Sequence, residues 1–243
     1  MAIDTLCGKT DMRLRLVLFA VVSGVLASLA MSGRAVALDG MAIAKSECAS
    51  CHNITGPAPA TLTELLDRKA PDLFYAGSKF NRAWLLHWLQ NPTIIRRSGV
   101  MFLNHIVNED GKDRVDETTV KPCAAKLAVE EAKAVADYLM TLTDRTMKTG
   151  IVDPAQKHSK HKAYNLFSKR MPCIGCHRIT FAKKQRGGIS GPDLTNAGER
   201  LNPDWIYARI ENPQYWDAKT WMPKLEMSHK KRQLLTQFLA SMK

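Results

Sequence analysis

Cys48-Ala49-Ser50-Cys51-His52 and Cys173-Ile174-Gly175-Cys176-His177 both read C-x-x-C-H, the attachment spacing of c-type haem. Two thiols three positions apart on one helical turn can each add to a haem vinyl group. The adjacent histidine then lies under the iron as its proximal ligand. Two CxxC pairs could also share one zinc, but zinc-ribbon pairs lie roughly 15 to 20 residues apart. The stretch from Cys51 to Cys173 is several times longer. A thioredoxin-type CxxC needs a βαβ setting, and neither flank reads as a strand. Two covalently bound haem c groups are the expected cofactors.

The N-terminal stretch suits an exported protein. Arg13 and Arg15 precede an uncharged apolar run from Leu16 to Met31, and Ala35-Val36-Ala37 offers a small-x-small cleavage site, the pattern of a secretory signal peptide. Residues 1–37 are therefore expected to be removed, with translation starting either at Met1 or at Met12. In the latter case Cys7 never enters the protein. The apolar run of 16 residues is shorter than the roughly 20 that a spanning helix needs, so stable membrane insertion is expected only if this segment is retained. The expected location is the periplasm, where covalent haem attachment takes place in bacteria.

The 243 residues carry 35 basic and 23 acidic side chains. Without residues 1–37 the balance is 31 against 21, a net charge of +10. Some 206 residues then remain, which suits two small domains whose cores need a filler such as haem. A basic chain often points to nucleic acid. For an exported haem protein, steering toward redox proteins that are acidic at their docking face is the better reading. Lys157, Lys160, Lys162, Lys169, Arg170, Arg178, Lys183, Lys184 and Arg186 gather around the second motif, either as that docking face or as ordinary solvated charge.

The chain repeats itself. Pro71-Asp72-Leu73 through Asn91-Pro92 matches Pro192-Asp193-Leu194 through Asn212-Pro213 at an offset of 121, with nine of twenty-two positions identical. The two haem motifs are offset by 125. Each half thus has the same order: a helix into CxxCH, a loop, a helix around a tryptophan, a Met-bearing loop and a final helix. Ala132, Val135, Ala136, Leu139 and Met140 fall at helical spacing, as do Leu234, Leu235, Phe238 and Leu239, with Ser228 placed as a cap. No strand alternation is visible. The expected fold is all-α, with a first domain at 38–145, a linker at 146–157 and a second domain at 158–243.

On these motifs both halves resemble class I cytochrome c domains arranged in tandem. The resemblance implies a few helices wrapped around each covalent haem, and electron transfer as the role. It further implies that a proline carbonyl after CxxCH accepts a hydrogen bond from the proximal histidine, a role that falls on Pro192 in Gly191-Pro192-Asp193-Leu194 and less closely on Pro71 in Ala70-Pro71-Asp72-Leu73. The sixth iron ligand of the family, a methionine, corresponds to Met222 before Pro223.

For the first half the counting gives more than one answer. Met101 stands at the 121 offset from Met222, but Phe102 replaces the proline expected after it. Counting back from the final helices, where Tyr138-Leu139 answers Phe238-Leu239 at an offset of 100, places Pro122 and Cys123 near the ligand position. Cys123 is also the odd cysteine of the exported chain. Met101 is the expected ligand, with Cys123 and His105 as alternatives. About 21 extra residues, near 102–121, separate Met101 from its final helix. Their polar run Asn108-Glu109-Asp110-Gly111-Lys112-Asp113 reads as a surface loop.

Two function classes follow. One is an electron carrier, or the electron-accepting subunit of a dehydrogenase, with no catalytic residues of its own. The other is a dihaem enzyme acting on a small inorganic sulfur compound through a Cys- or His-ligated first haem. The dihaem subunit of flavocytochrome sulfide dehydrogenases and dihaem thiosulfate dehydrogenases are similar in plan.

Overall fold

A computed structural model describes residues 37–243. The expected signal segment, its apolar run and Cys7 lie outside the described residues. Leu38 to Lys243 form one compact unit.

The first half opens with α1 (Gly40–Glu47), whose N-terminal N–H groups at Met41 and Ala42 are capped by the Asp39 carboxylate. Cys48 ends α1 and begins the first motif. After it come α2 (Leu62–Leu66), closed at its start by a Thr61/Glu64 capping box, then α3 (Ala76–Lys79) and α4 (Arg82–Gln90). The half closes with α5 (Val129–Thr141). Ala132, Val135, Ala136 and Leu139 on α5 are buried, as their spacing requires, and pack with Ala44, Leu85 and Leu89. The second half repeats the order without a counterpart of α2: α6 (Lys160–Asn165), continued by a π-turn at Leu166–Arg170, then α7 (Ala197–Arg200), α8 (Pro203–Glu211) and α9 (His229–Ala240). Leu235, Phe238 and Leu239 form its core with Phe167, Ile179 and Trp205. Ser228 occupies the N-cap of α9, but its side chain makes no capping bond.

Local hydrogen bonds obey the repeat. Leu73 N–H donates to Asn53 O (2.8 Å) and Leu194 N–H to Arg178 O (2.9 Å); Gly77 N–H donates to Leu142 O and Gly198 N–H to Met242 O, both at 2.9 Å. The last pair combines the 121 offset of α3 and α7 with the 100 offset of the final helices. The extra residues of the first half therefore lie between the Met101 loop and α5. Gly77 and Gly198 are needed for close approach: a Cβ on either would collide with the carbonyl of Met140 or Ala240 on the final helix of its own half.

Beside the helices of the expected all-α fold stand two short antiparallel hairpins. Strands β1 (Ile106–Glu109) and β2 (Lys112–Val115) pair with Ile106 opposite Val115, and β3 (Ile179–Phe181) and β4 (Lys184–Arg186) pair with Ile179 opposite Arg186. Asp110 and Gly111 both take positive φ at the first turn, and Ala182 and Lys183 at the second, the backbone sense that two-residue hairpins favour. The strands are only three or four residues long; β1, β2 and β4 are mostly solvated and only Ile179 of β3 is buried, so no alternation is left to read. The polar insertion is thus an ordered hairpin.

The two halves meet along a seam that obeys the same offset. Phe80 and Leu201, equivalent positions, form an antiparallel bridge. Asn81 N–H donates to Arg200 O and Asn202 N–H to Lys79 O, each at 2.9 Å. These bonds exchange under the 121-residue offset, the signature of a self-complementary, two-fold contact. The stretch 146–157 contains no helix or strand and is fastened to the second half, where the Asp204 carboxylate accepts the N–H groups of Gly150, Ile151 and Val152.

Gly198→Ala is expected to lower stability by roughly 1–3 kcal/mol through forced separation of α7 and α9. Gly175→Ala, whose Cβ meets nothing, is the neutral reference. Chemical denaturation of the two variants checks this, and equal midpoints would contradict the close-approach account.

Candidate haem sites

Each motif is a single turn wound tightly enough to present both thiols and the imidazole together. Cys51 and His52 N–H groups both donate to Cys48 O (3.1 and 2.9 Å), and Cys176 and His177 N–H groups to Cys173 O (3.2 and 2.9 Å). All four cysteines are free.

The imidazoles are oriented alike. His52 Nδ1 lies 2.6 Å from Pro71 O and His177 Nδ1 lies 2.8 Å from Pro192 O. A carbonyl only accepts, so the proton sits on Nδ1 and the Nε2 lone pair is left for a metal. Burial pushes both imidazoles down, His177 to about 4 and His52 by a smaller amount. The proline bonds oppose this shift. Arg96, Arg200 and Arg209 depress His177 further, and Lys79 acts on His52. Both rings are therefore neutral at pH 7, as a metal ligand must be.

Burial raises the Cys48 and Cys173 thiols to about 11. A catalytic redox dithiol requires the opposite shift. No group of three or more His, Cys, Asp or Glu side chains converges on a metal position among the described residues, so the two CxxC pairs do not share a zinc site.

Met101 is 3 % exposed and Met222 partly buried. The two loops touch, with Phe102 meeting Trp221 edge to face at 5.5 Å between ring centroids. His105 is held elsewhere: its Nδ1 lies 2.7 Å from the Thr119 hydroxyl, and its Nε2 edge packs against Gly99, where a Cβ would overlap it. Cys123 is partly buried and close enough to Cys48 for its charge to raise that thiol, ahead of Glu47 and Cys51.

Sequence reasoning missed the seam between the sites. Arg200 is 3 % exposed. Lys79 and Arg96 are partly buried but strongly desolvated, which pushes Lys79 down to about 7 and Arg96 to about 10. Arg68 bridges Asp72 and Asp217 at 3.2 Å each. Arg209 donates to Pro213 O and the Thr220 hydroxyl. Arg200 Nε, Arg68 Nε and Trp205 Nε1 are buried without a hydrogen-bond partner among the described residues. Such groups are costly unless an anion or acceptor from outside the chain completes them. The carboxylates of a haem are acceptors of that kind, so the site's own chemistry fits the cofactor. The available signal was Lys79 and Arg200 at equivalent repeat positions, beside the repeated tryptophans.

The basic residues around the second motif are exposed except Arg178, which is partly buried near Asp193 (3.9 Å). No helix among the described residues is long and apolar enough to cross a membrane.

Residues 161–243 match the family described as Cytochrome c. Comparison with curated proteins and with solved structures finds no match. The chain thus carries a cytochrome c domain at 161–243, which implies covalently bound haem c, electron transfer and redox-protein partners.

In the haem-free chain the unfolded state binds a histidine proton near pH 6.5 and folded His177 only near 4, so stability falls as pH drops between these values. One such group contributes at most about 1.4 kcal/mol per pH unit. Urea unfolding at pH 7, 6 and 5 should show this slope before the carboxylates titrate. Rising stability over that interval would contradict it.

Proposed function

We propose that the chain is an exported dihaem cytochrome c with two tandem cytochrome c domains, 38–145 and 158–243, acting in the periplasm. It passes electrons between redox proteins, either as a carrier or as the electron-accepting subunit of a dehydrogenase. The observation that carries this reading is the duplicated site: two CxxCH turns, each with its histidine Nδ1 on a proline carbonyl and each set against its own hydrophobic core.

In this reading Cys48 and Cys51 hold one haem and Cys173 and Cys176 the other, with His52 and His177 as proximal ligands. Met222 and Met101 are the sixth ligands. Bound haem supplies one-electron redox chemistry. The chain's part is to fix ring orientation through Pro71 and Pro192, to exclude water with its two cores, and to offset charge at the seam. The engagement of both His105 ring edges supports Met101 over His105. The proximity of Cys123 to Cys48 supports the second reading, in which a Cys-ligated first haem serves oxidation of a small inorganic sulfur compound. The exposed lysines and arginines around the second motif suit docking to an acidic surface, since redox encounters are small and electrostatic.

Mature protein made with the haem-attachment machinery should carry two haems that survive acid-acetone extraction. Cys48→Ala combined with Cys51→Ala should remove one of them. Recovery of a single covalent haem from the unaltered chain would refute the dihaem reading.

The first sixth ligand is tested separately. Met101→Ala should open that haem to carbon monoxide and lower its potential, because loss of a thioether removes preferential stabilisation of ferrous iron. Cys123→Ala should leave the spectrum unchanged. Exchange of these outcomes, with thiolate character in the ferric spectrum, would favour the enzyme reading.

A further inference from the structure

Each proline that orients a proximal histidine sits in a loop fastened by the other half. At Pro192 the fastened positions are the third residue before it and the one after it. Ile189 O accepts a hydrogen bond from the Ser98 hydroxyl at 2.8 Å, and Asp193 N–H donates to Ile95 O at 2.7 Å. At Pro71 the same two positions are Arg68 and Asp72. Arg68 Nη1 donates to Asp217 Oδ2 of the second half at 3.2 Å, and Nη2 pairs with Asp72 at 3.2 Å. One guanidinium thus ties both positions across the seam.

The segments that do the fastening also correspond. Ile95, Arg96 and Ser98 lead into Met101, and at the 121 offset Trp216, Asp217 and Lys219 lead into Met222. Both segments make the same turn, closed by Gly99 N–H on Arg96 O at 3.1 Å and by Thr220 N–H on Asp217 O at 3.0 Å. Arg96 Nη1 stiffens the first turn by donating to Val100 O at 2.6 Å. Trp216 holds the second, stacking on Tyr75 of the first half at 5.6 Å between centroids and donating Nε1 to Asp144 at 3.0 Å. Ser98 is fully buried and Asp217 is 7 % exposed, so water competes little for either contact, and a buried partner left unsatisfied is costly. The methionine-bearing loop of each half therefore lies on the proline loop of the other.

We propose that Ser98 and Asp217 are positioning residues that act crosswise: Ser98 of the first half steadies Pro192 for His177, and Asp217 of the second half, through Arg68, steadies Pro71 for His52. Each histidine is then oriented only when the opposite half is docked. The proposal rests on the dihaem reading for its symmetry. A carbonyl bond at Nδ1 raises the basicity of a ligating imidazole, which favours the more positive, oxidised iron. Loosening that carbonyl shifts the reduction midpoint upward.

The test uses the full-length, haem-loaded protein with haem counted in every sample, and reads amide hydrogen exchange and reduction midpoints. Ser98→Ala should speed exchange at 189–194 roughly threefold to tenfold, the effect of one lost buried hydrogen bond, and leave 68–73 and α5 unchanged. Asp217→Ala should do the reverse, speeding 68–73 and sparing 189–194. The midpoint of the haem on the loosened side should rise. It is assigned by repeating each variant with one motif's two cysteines replaced by alanine, and where those chains do not load haem, the exchange pattern decides. Ser98→Thr and Asp217→Asn, which keep the hydroxyl or an acceptor oxygen, should behave as wild type, as should Arg114→Gln on the exposed hairpin. Two haems with exchange of the opposite proline loop unchanged, or raised equally throughout, would overturn the crosswise brace and leave the dihaem reading intact. A wild-type chain with one covalent haem would overturn the dihaem reading, while exchange at 189–194 would still report on Ser98.

Discussion

A histidine held by a proline carbonyl is the constraint from which the rest of each site follows. The bond at Nδ1 fixes the tautomer, the ring plane and the direction of the free nitrogen at once. To deliver it, the chain must bring a loop 19 residues beyond His52, or 15 beyond His177, back over the motif. The two loops differ by four residues yet reach the same end point, because Leu73 and Leu194 are tied by equivalent backbone bonds to the residue following each histidine. Past that anchor each half returns to a common geometry: a one-turn helix, a tryptophan helix, and a glycine where α3 or α7 meets the final helix backbone to backbone.

What the sequence made legible was whatever depends on local spacing. The CxxCH turns, the buried stripe of α5 and the 121-residue offset are written in consecutive or periodic residues, and the structure places them accordingly. The hairpin at 106–115 was not legible as strand, since its side chains are solvated and only its turn residues carry a signal. Ser228 had the residue type and position of a cap, yet its hydroxyl makes no bond. The seam was hidden for a different reason. Lys79 and Arg200 are unremarkable surface residue types, and only the folded arrangement of two repeats takes them out of water and sets each over the other half's tryptophan.

The near two-fold symmetry of the backbone does not extend to charge. Arg96 and Asp217 occupy equivalent repeat positions with opposite sign. Arg96 acts on His177, together with Arg200 and Arg209. Asp217 instead joins Asp72 around Arg68 and so neutralises part of the cationic field on the first half's side. The His177 site thus lies in the more positive surroundings and the His52 site in the more balanced ones. Surroundings that are more positive stabilise the reduced state of a bound redox group. The two halves therefore differ in a few charges at the seam and not in the helices that enclose either site.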